Sequence, residues 1–124
     1  MSQSFWKIPK ADNIRTPLSI LSEQASALTE ETGGALRGRV KRDALGDDLV
    51  LTLTITVPAL DNYSVDLIKY WQPIQMYPGS LDFTLKPASI TVRNEEEFRK
   101  ALMEILSSDE VTRIITSLFS QALA

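Results

Sequence analysis

"DLVLTLTITV", Asp48 to Val57, decides how the rest of the chain is read. Leu49, Leu51, Leu53, Ile55 and Val57 recur at every second position, and Thr52, Thr54 and Thr56 fill places between them. Successive side chains of a strand point to opposite faces, so a period of two predicts a strand with one dry face and one lined by hydroxyls. Upstream, Leu36, Gly38 and Val40 alternate with Arg37, Arg39 and Lys41, which predicts a first strand joined to the second by a turn around "ALGDD". Downstream, Pro58 can give no amide to a ladder, so pairing should stop beside it.

The third strand is expected in "DNYSVDLIKYW", from Asp61 to Trp71. Pro78 and Gly79 suit the centre of a type II turn, after which "SLDFTLK" returns as a fourth strand with Leu81, Phe83 and Leu85 inward. Beyond Pro87, "SITV" reads as a short fifth strand. Short connections throughout favour an antiparallel meander.

Strict alternation fails in the third strand. With Tyr63, Val65 and Leu67 inward, Lys69 and Trp71 would follow them inward and push Ile68, Tyr70 and Ile74 outward. An extra residue near Ile68 and Lys69 would reverse this, because a bulge changes the face on which later side chains stand. Ile68 and Tyr70 then join the core and Trp71 is the ring left outside. In either case large apolar surface remains that one sheet face does not absorb, which is a mark of contact sites.

Helical spacing frames the strands. Thr16 suits an N-cap, Pro17 loses nothing at the first helical position, and Leu18, Leu21, Ala25 and Leu28 form one stripe of a helix between residues 17 and 32, ended by Gly33. Near the C-terminus, Asn94 and Glu97 have the spacing of a capping box, followed by Phe98, Ala101, Leu102 and Ile105. Ser107 and Glu110 repeat that signal before Val111, Ile114, Ile115, Leu118 and Phe119. The expected fold is α+β: an N-terminal helix, a four-stranded antiparallel meander with a short fifth strand, and two C-terminal helices. At 124 residues this is read as a single globular domain, 1–124, with residues 1–13 loosely held.

Composition narrows the chemistry. Absence of cysteine removes disulfides and thiolate chemistry, and absence of histidine removes the commonest base near neutral pH and the commonest metal ligand. Asp47 and Asp48 suit a turn, Glu95 to Glu97 suit the first turn of a helix, and neither cluster has the spacing of a calcium loop. Among carboxylates only Asp66, set among the rings of the third strand, is a candidate for acid–base work. Neither an enzyme nor a bound cofactor or metal is therefore expected.

"RGRVKR" places four cations in six residues, but the net charge of −3 and the lack of an RNA-binding aromatic motif argue against nucleic acid. No apolar run is long enough to span a membrane, and a soluble cytoplasmic protein is expected. The functional reading is a non-catalytic binding module that holds another protein or a second copy of itself. Its candidate surface is Ile68, Tyr70, Trp71 and Ile74 with Arg37 and Arg39. The alternative is a carrier of a small apolar ligand, held between the sheet and the first helix by Leu51, Leu53, Tyr63 and Phe83.

Overall fold

The computed structural model describes residues 3–9 and 15–124. Its elements run α1 (Pro17–Glu31), β1 (Arg37–Leu45), β2 (Asp48–Val57), a 3-10 turn (Pro58–Leu60), β3 (Tyr63–Gln72), β4 (Gly79–Phe83), β5 (Ala88–Val92), α2 (Glu95–Leu106) and α3 (Asp109–Ala122). The strands form one antiparallel sheet in the order β1-β2-β3-β4-β5, a plain meander. Of the expected loose residues, 1–2 and 10–13 lie outside the described ones, and residues 3–9 contain neither helix nor strand.

Helices start where polar side chains replace missing backbone partners. The Thr16 hydroxyl accepts from the Ser19 amide at 3.1 Å, and the Asn94 side chain accepts from the Glu97 amide at 2.9 Å. Glu97 in turn accepts from the Arg93 amide at 2.9 Å, one residue before the cap. At α3 the cap is Ser108, not Ser107, and it accepts from the Val111 amide at 3.3 Å. The Ser107 side chain instead donates to the Met103 carbonyl and closes α2.

All three helices lie on one face of the sheet. Leu51, Leu53, Ile55 and Val57 of β2 meet Ile20, Leu21 and Ala25 of α1, Phe98, Leu102 and Ile105 of α2, and Val111 and Leu118 of α3 in one apolar cluster. The approach of α1 is closest at Gly38. A Cβ there would lie 2.5 Å from the Ala25 carbonyl oxygen and 2.6 Å from its Cα, so only glycine lets helix and strand touch backbone to backbone. The Gly38 amide, left facing the helix, donates to the Thr29 hydroxyl at 3.0 Å.

A bulge in β3 sets the faces of the rings. Leu53 opposes Ile68 while Thr54 opposes Asp66, which leaves Leu67 as the extra residue. The irregularity falls one residue before the Ile68-Lys69 position expected. Leu67 and Ile68 both point to the helices and are buried, and Tyr70 follows them with no exposed surface. Its ring meets Phe98 edge to face at a centroid distance of 4.9 Å, a pairing worth about 0.5–1.5 kcal/mol beyond area burial.

Three details differ from the sequence expectation. Gly79 begins β4 and does not sit in a type II turn; the turn before it uses Met76, whose φ is 70° and whose amide donates to the Pro73 carbonyl at 2.9 Å. Leu85 lies beyond the end of β4 and is exposed, because the strand stops at Phe83. Tyr63 starts β3 at the margin of the helical layer and is about half exposed.

Candidate functional site

The uncovered face of the sheet carries the candidate site. Register places Arg37, Arg39 and Lys41 of β1, Thr56, Thr54 and Thr52 of β2, and Ser64, Asp66, Lys69 and Trp71 of β3 side by side on this face. Ser80 and Asp82 of β4 and Ser89 of β5 complete it. Thr52 and Thr54 are buried although no helix covers them. Their cross-strand neighbours are Lys41 and Lys69 for Thr52, and Arg39 and Asp66 for Thr54.

Trp71 is fixed on this face. Its indole N–H donates to Asp82 Oδ2 at 2.9 Å, and Asp82 Oδ1 accepts from Ser80 Oγ at 3.0 Å and Ser89 Oγ at 2.7 Å. One carboxylate thus ties three neighbouring strands and holds one ring. Directly across on β2, Val50 is buried outside the helix-side core, and the indole is its large apolar neighbour in the register. Around Trp71, Lys69, Asp82, Thr84, Lys86 and Ser89 the surface forms an open depression of about 450 Å³.

Charge on this face is only partly neutralised. Lys41 Nζ lies 3.7 Å from Asp66 Oδ1, which also accepts from Thr54 Oγ1 at 3.0 Å. Beyond the end of β4, Lys86 reaches the helix side and lies 3.5 Å from Glu110, whose carboxyl is held below its ordinary value by backbone hydrogen bonding at the start of α3 and by Lys86. Arg37 and Arg39 are exposed and make no ion pair among the described residues.

The expected surface residues therefore separate. Ile68 and Tyr70 are withdrawn from it, since the extra residue at Leu67 turns both beneath the helices. Trp71 stands half-buried on the outer face, with Arg37 and Arg39 two strands away on the same side. Ile74 is 95% exposed in the loop between β3 and β4. Asp82, Ser80, Ser89 and Lys69 belong with Trp71 and were not singled out from the sequence. Alternation against Leu81 and Phe83 puts Ser80 and Asp82 on the outer face, but only the register brings them to the indole.

Inside the fold, the Tyr70 hydroxyl donates to the Met76 carbonyl at 2.6 Å, and burial pushes its pKa well above the ordinary value. Tyr77 is raised too, by burial first and then by Glu95. Asp66, the one carboxylate considered for acid–base work, is half exposed and engaged with Lys41 and Thr54. No group of three or more acidic residues suited to a metal ion occurs among the described residues.

The apolar-carrier geometry is only partly present. A cavity of about 190 Å³ lies between α1, α3 and the sheet, lined by Ala25, Leu28, Leu53, Leu67, Val111 and Ile115. Of the four lining residues expected, only Leu53 borders it, and its volume falls below the roughly 300–1,000 Å³ usual for ligand sites. Among the described residues no helix is long and apolar enough to cross a membrane. Comparison with protein-family models, with curated proteins and with solved structures finds no match to this chain.

Proposed function

We propose that the chain is a non-catalytic module that binds an acidic segment of a partner protein on the outer face of its sheet. The observation that carries this reading is the fixed orientation of Trp71 by Asp82 on a face that no helix covers. A half-buried aromatic ring beside Lys69 and Lys86, with Arg37 and Arg39 further along the same face, resembles the composition of interface hot spots, which favour Trp, Tyr and Arg. A ring already held in place loses little side-chain freedom on binding, so more of its contact energy remains as affinity. Arg37 and Arg39, free of carboxylate partners among the described residues, supply charge that an acidic segment would complete. A cytoplasmic setting fits a chain without cysteine.

Selection of a randomised peptide library on the folded chain tests this. Recovered peptides are expected to be rich in Asp and Glu, and to lose binding to Trp71→Ala and to Arg39→Glu. Peptides that bind both variants as well as the parent would move the site away from this face.

A further inference from the structure

We propose that residues 3–9 of one chain add as a sixth strand to the β5 edge of a second copy. The donor is unusual in what it leaves in water: Phe5 is 92% exposed, Trp6 82% and Ile8 83%, all within one short segment that belongs to no helix or strand. Such a concentration of unburied apolar side chains favours docking onto another surface. In extended form, Trp6 and Ile8 share one side and Phe5 and Lys7 the other.

The two edges of the sheet differ as acceptors. β1 carries Arg37, Arg39, Lys41, Arg42 and Asp43 along nine residues, the kind of charge that keeps an edge from pairing. β5 reads "ASITV" and has no charge, and among the described residues it pairs only with β4. On its helix side, beside the partly exposed Ile90, lies an indentation of about 180 Å³ bordered by Phe83, Ala88 and Ile105, with Glu104 and Glu110 at its margin. Trp6 and Ile8 facing Ile90 would bury apolar surface there while main-chain hydrogen bonds extend the sheet.

Charge selects the same edge. Lys7 is the only charged side chain in residues 3–9. With Trp6 and Ile8 toward the helices it falls on the outer face of β5, beside the uncharged Ser89 and Thr91 and with Asp82 one strand further in, whereas β1 carries four cations along its length. The segment makes no such pairing with its own sheet, so a second copy is the occupant, and mutual exchange of the two segments closes the assembly around a two-fold axis.

Light scattering on a size-exclusion column, over a range of loading concentrations, reads the mass directly. The parent chain is expected to run as a dimer, and Trp6→Ser with Ile8→Ser should halve the mass without changing the circular dichroism or the urea midpoint. Ile90→Lys should do the same from the acceptor side. Thr91→Lys repeats the block from the outer face, away from the helix-side packing. Mixing the donor variant with the Ile90→Lys variant should recover dimer, because each supplies the half that the other lacks. A parent chain monomeric at every concentration overturns the proposal, as does a dimer indifferent to the N-terminal substitutions. A monomer whose Trp6 emission shifts on anionic lipid vesicles also overturns it and makes the segment a membrane contact.

Discussion

Replacing Gly38 by alanine should loosen the N-terminal helix from the sheet, and the structure sets the size of the effect. The new Cβ would lie 2.5 Å from the Ala25 oxygen, 2.6 Å from its Cα and 2.9 Å from its carbonyl carbon. Ordinary carbon–carbon contact is roughly 3.5–4.0 Å, so α1 must withdraw by about 1 Å. All three obstructing atoms are backbone, and no rotamer change can relieve them. Such overpacking costs about 1–3 kcal/mol. The same withdrawal stretches the bond from the Gly38 amide to the Thr29 hydroxyl, now 3.0 Å, out of range. A buried amide left alone adds about 1–3 kcal/mol, and the reduced entropy of the unfolded chain gives back only about 0.4–1 kcal/mol. These ranges span a net loss of about 1–5.6 kcal/mol, centred on about 3 kcal/mol. With an m-value on the order of 2 kcal/mol/M, the urea midpoint followed by circular dichroism should fall by roughly 1–2 M. Ala25→Gly should not rescue it, since the Ala25 side chain is not the obstacle. A Gly38→Ala chain within about 0.5 kcal/mol of the parent would refute the close packing of α1 on β1.

Asp82→Ala should cost about 1–2 kcal/mol in urea unfolding, since the Trp71 indole loses its acceptor and Ser80 and Ser89 keep only the bond between them. In a Trp6→Phe background the remaining indole emission should broaden and move to the red as Trp71 gains freedom; an unchanged spectrum would contradict the anchoring. Tyr70→Phe should cost about 1–2 kcal/mol, because the Met76 carbonyl loses a buried donor, and thermal unfolding would expose the error if the variant melted like the parent. Alkaline titration checks the two inner tyrosines. Both have folded-state pKa values raised above the ordinary 10.0, so the unfolded chain ionises first and stability is lost as pH rises past 10. The slope should approach about 1.4 kcal/mol per pH unit for each tyrosine held protonated, and Tyr70→Phe should make it shallower.

What the sequence made readable was periodic or local. Alternation from Leu49 to Val57 specified the central strand, and two of the three caps followed from Thr16 and Asn94 at fixed offsets from the amides that they satisfy. Ile20 escaped the apolar stripe of α1, although it is more deeply buried than Leu18 and Leu28, because packing under α2 widens the covered face beyond a narrow helical stripe. At α3 two adjacent serines offered equal capping chemistry, and the choice of Ser108 depends on where α2 ends. Trp71 was recognised only as one outcome of a bulge. Its partner Asp82 is eleven residues away and meets it only once β3 and β4 are in register. Phe5, Trp6 and Ile8 belong to no repeating pattern long enough to assign an element, and in the structure all three are exposed.

The bulge also means that β3 consists of two regular runs spliced out of phase. Excising Leu67 would bring the runs into step: Tyr63, Val65, Ile68 and Tyr70 keep to the helices, and Ser64, Asp66, Lys69 and Trp71 keep to the open side. The core would lose one side chain and every orientation would survive. Adding a residue between Lys69 and Tyr70 would do the reverse, trading the two rings so that the tyrosine faces solvent and the indole is driven under α2. A strand of this kind can shorten at one place and keep the residues of its open face, yet cannot lengthen beside it.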